Sequence, residues 1–525
     1  MPQRAAISEE REPAHKWLIA GSVMLGTIMA VLDTSIVNVA LADMSGTLGA
    51  TIEQITWVVT GYMLANVLVM PIIGMLSVRF GRKNLYLTSL ALFTAASMLC
   101  GLARSLETMV FVRAFQGIGG GVLMTVAQAI LRETFPPQEQ GLAMGIFGMG
   151  VVLAPAFGPT LGGFITDKYS WPWIFYINVP IGIINYILVQ RFVHDPAYLI
   201  RDKGRIDWLG LGLMITGLGA IQLMLEEGSR NDWFSSSFIV QLASVGVVGL
   251  ALFVWRELKT DRPAVDLRIM KNTAFSSATL IGGALGMGLM GSIFLLPLFL
   301  QNILRFNAMQ SGVALMPRSL AMAVLMPIGG KFYNKLGPRV MVSAGLTVSA
   351  ISFLQLAHMT VDTGFWDLLW PQVLQGVGFS LVFVALTTAA LASIEKPKIT
   401  AASGLYNVVR TVFGSIGIAV AASQLASTAA ANHAVLVERA GMANPVAMSW
   451  LAQATAGMIA RTGADAYTAR TRALQLLDYT ITRQSVVLAL NHVFVLIAIL
   501  FVLALPLVLL LRAGHAPEGE GVLAE

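Results

Sequence analysis

The stretch "MAVLDTSIVNVAL" at residues 29–41 places one carboxylate, Asp33, inside an otherwise apolar run. A charge in the hydrocarbon of a bilayer is costly, so such a residue faces a bundle interior or a wet cavity where another group compensates it. Three cations, Arg113, Arg318 and Arg410, stand in similar apolar surroundings. A buried acid near a base can exchange a proton with water, because its proton affinity depends on hydration and on the distance to the cation. An arginine in the same setting can instead hold an anion or tie helices together. Metal and phosphate chemistry have less footing. The six histidines are scattered without metal spacing, and the loops carry no Gly-Lys-Ser/Thr string to cradle phosphates. The one cysteine, Cys100, lies in an apolar stretch and reads as a buried thiol. No metal, cofactor or catalytic residue is expected.

Membrane-spanning helices must position these residues. Of 525 residues 56% are hydrophobic and 12% charged, against roughly 25% charged in a soluble domain. The chain is therefore expected to be all-α and integral to the membrane. Its net charge of +6 resides in short loops, where basic residues set orientation rather than bind nucleic acid. A span needs about 20 mostly apolar residues. Fourteen candidates cover 17–42, 55–76, 84–103, 107–131, 141–166, 171–192, 206–225, 236–256, 274–302, 309–333, 339–360, 365–393, 400–427 and 487–512. Basic loops follow spans two (Arg79, Arg82, Lys83), six (Arg191, Arg201, Lys203, Arg205), eight (Arg256, Lys259, Arg262, Arg268, Lys271) and ten (Lys331, Lys335, Arg339). All are even-numbered exits, which assigns both termini to the cytoplasm. Residues 1–16 lack the cleavage pattern of a signal peptide and read as a retained tail, with a second tail at 513–525.

The chain repeats itself. "GMLSVRFGRK" (74–83) and "GKFYNKLGPR" (330–339) share glycines seven residues apart with a base two before the second. "RAFQGIGGG" (113–121) and "QVLQGVGFS" (372–380) share Gln-Gly-x-Gly. Gly74 to Gly330 is 256 residues and Gln116 to Gln375 is 259, nearly equal offsets. Two six-span halves, 17–192 and 274–512, are thus expected around an inserted pair at 206–256. Transporters build alternating access from such repeats, with sites near the midplane.

Helical rise, about 1.5 Å per residue, gives depth. Asp33 lies roughly 15 Å and Arg113 about 10 Å from the outer face, with Arg318 and Arg410 at roughly 13–18 Å. Asn38, Gln116, Gln128, Tyr406 and Asn407 are neutral polar company in the same spans. This inventory is too costly to face lipid and is expected to line a central cavity. In that reading Asp33 exchanges the proton, Arg113 tunes it, and the others contact substrate; a permanent ion pair that only fixes helix packing is the alternative. Methionines, 26 in all, would make an apolar wall adaptable.

These motifs resemble the major facilitator superfamily, and within it the fourteen-span drug:proton antiporters of EmrB/QacA type, nearest the EmrB branch. "LDTSIVNVAL" (32–41) is similar to the family's first-span motif, "FVRAFQGIGGG" (111–121) to the fourth-span motif with its intramembrane arginine, and "WPWIFYINVPIG" (171–182) to the start of span six. "GMLSVRFGRK", with Gly74, Arg79, Gly81 and Arg82, resembles the loop motif after span two, although Val78 stands where many members have Asp. "APAFGPTLGG" (154–163), with Pro155, Gly158, Pro159, Gly162 and Gly163, resembles the antiporter signature of span five. Small residues and prolines there also let the helix bend or pack tightly where the halves meet. The resemblance implies two six-helix bundles plus two inserted helices in an inner (plasma) membrane, and proton-coupled export of drug-like hydrophobic or amphipathic molecules.

Residues 428–485 are too polar to be embedded, alanine-rich, and external by topology. In the EmrB branch such a segment implies a docking surface for a periplasmic membrane-fusion adaptor leading to an outer-membrane channel; a solvated cap is the alternative. Three other functions compete: export of one metabolite such as a fatty acid or siderophore, a membrane-bound enzyme, and a sensor, the last lacking an output domain of sufficient length.

Overall fold

The computed structural model describes residues 15–196, 204, 206–441 and 444–511. Residues 1–14 and 512–525, which hold most of both expected tails, lie outside that range, as do Arg201, Lys203 and Arg205. No strand occurs among the described residues. A segment in lipid must satisfy its backbone N–H and C=O groups internally, which leaves the helix as the spanning form for these sequences.

The helices are α1 (Lys16–Leu48), α2 (Glu53–Phe80), α3 (Arg82–Gly101), α4 (Leu106–Thr134), α5 (Gln140–Lys168), α6 (Trp173–Phe192), α7 (Trp208–Glu227), α8 (Ser237–Lys259) and α9 (Thr273–Ile303). A helix at Ala308–Leu356 follows, interrupted at Gly337, where φ is 75° and ψ 159°. That glycine divides it into α10 (308–336) and α11 (338–356). Then come α12 (Phe365–Ala392), α13 (Ile399–Arg439), α14 (Pro445–Thr462) and α15 (Ala466–Val508). Thirteen helices among the described residues are long and apolar enough to cross a bilayer. Splitting the longest at Gly337 gives the fourteen crossings expected.

The repeat is visible in the backbone. Gly81 separates α2 from α3 at φ 83° and ψ 154°, and Gly337, 256 residues later, separates α10 from α11 in the same conformation. Only glycine adopts it without strain. Helices α1–α6 form one half and α9–α13 with α15 the other, while α7 and α8 pack together through Gly217 and Gly249. The inserted pair lies beside α2 and α13, and the Gln222 amide donates to Ser415 Oγ at 2.8 Å.

The halves meet near the basic loops. Gly74 packs so closely on Ala401 that no side chain fits, and a Cβ on Gly141 would stand 2.5 Å from the Gly330 carbonyl. Gly145 and Gly148 meet Met326, and Asn334 donates to the Gln138 carbonyl at 2.6 Å. At the opposite face α13 and α15 continue beyond the bilayer length. They are tied by Asn432 to the Ser485 carbonyl at 3.4 Å and by His433 to Asp478 at 3.1 Å. The segment 428–485 is accordingly an extension of two spanning helices with α14 between them.

Candidate functional site

Asp33 on α1 and Arg113 on α4 reach the same level, as helical rise anticipates. Arg113 Nη1 donates to Asp33 Oδ2 at 2.5 Å and to Gln116 Oε1 at 2.7 Å. Arg113 and Gln116 are three residues apart and so share a helix face. Gln116 Nε2 donates to Asp33 Oδ1 at 2.9 Å, and Asn178 Nδ2 of α6 donates to the same oxygen at 3.0 Å. Asn178 also donates to Ser97 Oγ of α3. Arg113 Nε donates to the Val58 carbonyl of α2, while the Tyr62 ring lies 4.3 Å from the guanidinium. A buried ion pair is costly unless further hydrogen bonds support both partners; α2, α4 and α6 supply them here, while Arg113 Nη2 has no partner among the described residues.

Asp33 is 2% exposed and Arg113 0%. Both are sealed inside the first half, and every hydrogen-bond partner described for the carboxylate belongs to that half. No contact among the described residues joins the Asp33–Arg113 pair to Arg318 or Arg410. Asp33 points toward α3, α4 and α6, where polar side chains already surround it, and the remaining groups occupy other places.

At the seam between halves, Gln128 Oε1 of α4 accepts from Ser403 Oγ at 2.8 Å and Asn407 Nδ2 at 2.7 Å, both of α13. Tyr406, beside Asn407, is buried against Gly282, and its hydroxyl has no hydrogen-bond partner. Arg410 stacks over Phe383 at 5.3 Å. Arg318 on α10 donates through Nη1 to Ser292 Oγ at 2.8 Å and Gln375 Oε1 at 3.2 Å. Asn38 is exposed on α1, five residues beyond Asp33, and no contact brings it to the cluster.

The span-five motif locks α5 onto α1. Pro159 has no N–H to offer the carbonyl four residues earlier. That carbonyl, of Pro155, accepts from Ser35 Oγ at 3.0 Å instead. Gly158 leaves no room for a side chain beside Ser35, and Gly162 abuts Ile36, whereas Gly163 faces open space. The tight packing expected between halves therefore occurs within one half at these positions. Gly141, Gly145 and Gly148, earlier in α5, make the contact between halves.

In the loop motif Arg79 Nη1 donates to the Gly204 carbonyl at 3.1 Å. Arg82 is buried, forms an ion pair with Glu133 at the end of α4, and donates to the Lys396 carbonyl of the other half at 3.3 Å. An acid from α4 thus pairs with the loop arginine although Val78 cannot. Glu133, Ser97, Asn178, Ser292 and Ser403 were not singled out in sequence. Asn178 carried a signal, being polar within the start of span six.

The family model of the Major Facilitator Superfamily matches residues 23–418. The chain is 37% identical to "Multidrug export protein EmrB" of Haemophilus influenzae, over 92% of this chain and 93% of that one. It is 34% identical to "Fatty acid resistance protein FarB" of Neisseria gonorrhoeae, over 95% and 97%. Among solved structures, the human organic anion transporter MFSD10 (TETRAN) superposes with a TM-score of 0.59 at 13% identity, covering 93% of this chain and 99% of that one, which shows a shared fold.

Proposed function

Because this chain belongs to the Major Facilitator Superfamily, we propose that it is a proton-coupled multidrug exporter, a drug/proton antiporter for hydrophobic or amphipathic compounds. It is a multi-pass membrane protein and a transporter rather than an enzyme. Proton entry down the gradient drives cargo outward, and one proton crossing 100 mV supplies about 2.3 kcal/mol. The membrane is the inner membrane, both termini are cytoplasmic, and the halves span 17–192 and 274–512 around the inserted pair at 206–256.

One observation carries the reading: a single carboxylate, Asp33, is buried against Arg113 and linked by contacts to the junction of the halves. A proton on Asp33 Oδ2 removes the charge that binds α1 to α4. Arg113 then keeps the Val58 carbonyl, Gln116 and the Tyr62 ring. Two residues from Asp33, Ser35 holds α5, and α5 carries the glycines that meet the other half. Protonation is felt at the inter-half contact through α1 and α5, so proton and cargo need not share a pocket. Gln128 at the seam, with Asn407, Tyr406, Arg318 and Arg410 of the second half, contacts cargo. Gly74, Arg79, Gly81 and Arg82, with the prolines and glycines of α5, gate it.

The external segment serves as the docking surface for a periplasmic adaptor leading to an outer-membrane channel. A second reading, export of one amphipathic metabolite, is supported by the fatty-acid resistance relative. Purified protein in liposomes decides the main one. An imposed pH gradient should drive accumulation of an amphipathic dye by the wild type and none by Asp33→Asn. Dye movement that ignores the gradient would refute antiport.

A further inference from the structure

Ser292 and Gln375 are separated by 83 residues, as are Asp33 and Gln116, and each pair is joined by a hydrogen-bond contact. Adding the 259-residue offset carries Asp33 to Ser292, Arg113 to Gln372 and Gln116 to Gln375. The 256-residue offset that relates Gly81 to Gly337 carries Tyr62, the ring beneath Arg113, to Arg318. The second half therefore holds a copy of the buried cluster with its charges redistributed. In the first half a carboxylate and a guanidinium cancel. In the second the cation has moved to α10, and a hydroxyl replaces the acid.

That copy is incomplete. Arg318 is 7% exposed, and no ion pair of it occurs among the described residues. Gln372 is 1% exposed with both amide atoms unpartnered, and Gln375 Nε2 is unpartnered too. A buried polar group without a partner is costly, so this cluster is short of an acceptor that also carries negative charge. A carboxylate is acceptor-only and matches the arginine fork with two oxygens. Met290 and Met316, on the same two helices as Ser292 and Arg318, expose pliable apolar side chains.

We infer that Arg318, with Ser292, Gln372 and Gln375, forms a subsite for the carboxylate of an amphipathic monocarboxylic acid, which supplies the group that Asp33 provides in the first half. The inference rests on the transport reading for its meaning as a cargo site, and its test is equilibrium binding, which needs no gradient.

The full chain, purified in micelles at neutral pH, is titrated with decanoate and with decanol, and the ratio of the two affinities is read. Wild type should prefer decanoate. Arg318→Gln should lower the ratio about 10- to 100-fold, the range of one or two charge-assisted hydrogen bonds. Ser292→Asp should lower it comparably while keeping the fold, because it recreates the acid–arginine pair internally. No wild-type preference, or an unchanged ratio in either folded variant, overturns the subsite. Absence of gradient-driven dye transport with the binding ratio behaving as expected would instead overturn the antiport reading alone.

Discussion

Arg113 Nη1 lies 2.5 Å from Asp33 Oδ2, and neither side chain reaches solvent. Removing one partner of such a pair strands the other in an apolar interior, at a cost of about 3–5 kcal/mol. Asp33→Asn should therefore lose stability as well as coupling, and the double variant with Arg113→Gln should regain most of the stability without transport. Thermal unfolding and liposome transport on the same preparations separate the two. A double variant that transports against a pH gradient would reduce the pair to a helix tie.

Gln128 joins the halves through Asn407 and Ser403. One such hydrogen bond is worth about 1 kcal/mol net. Asn407→Ala should shift the balance about fivefold away from the state closed at the basic loops. Pulsed spin-label distances between the halves, taken at the opposite face, should shorten in that variant.

Gly81 and Gly337 share a backbone conformation that side chains strain to adopt. Replacing either by alanine should cost about 1–3 kcal/mol. The two costs should be similar because the turns are copies. Denaturation of Gly81→Ala and Gly337→Ala would show whether they are.

Gly141 of α5 touches Gly330 of α10 with no space for a Cβ. Gly141→Leu should wedge the halves apart at the basic face and stall the cycle. Cysteines placed near 138 and 334, which lie together here, should cross-link readily without the wedge and poorly with it.

Asp207 caps α7 and pairs with Arg256 of α8 at 3.0 Å. Burial pushes its carboxyl up, yet the hydrogen bonds from Arg256 and the Gly210 N–H hold it below the ordinary carboxylate range. A depressed carboxylate stabilises above its unfolded value, about 3.9, and that stability is lost as pH falls through the folded one. The inserted pair should loosen only in strong acid. Asp207→Asn should lower the unfolding midpoint at neutral pH and lessen its fall in strong acid, as unfolding scans over pH would show.

Much of this architecture can be read along the chain. Apolar run length sets the number of crossings, and Gly81 and Gly337 mark the same turn in both halves. Rise per residue put Asp33 and Arg113 at one depth, and they meet. Depth is one coordinate, however, and a helix in lipid is apolar on nearly every face, so no stripe announces which neighbour each side takes. Lateral packing alone turned Asp33 to Asn178. It set Gln128 against Asn407 across the seam, and it left Arg318 beside Ser292, the residue that the repeat aligns with Asp33. The run lengths and offsets are properties of the chain in one dimension. Which charges find partners depends on how the helices turn about their axes, and close packing of the whole bundle settles that.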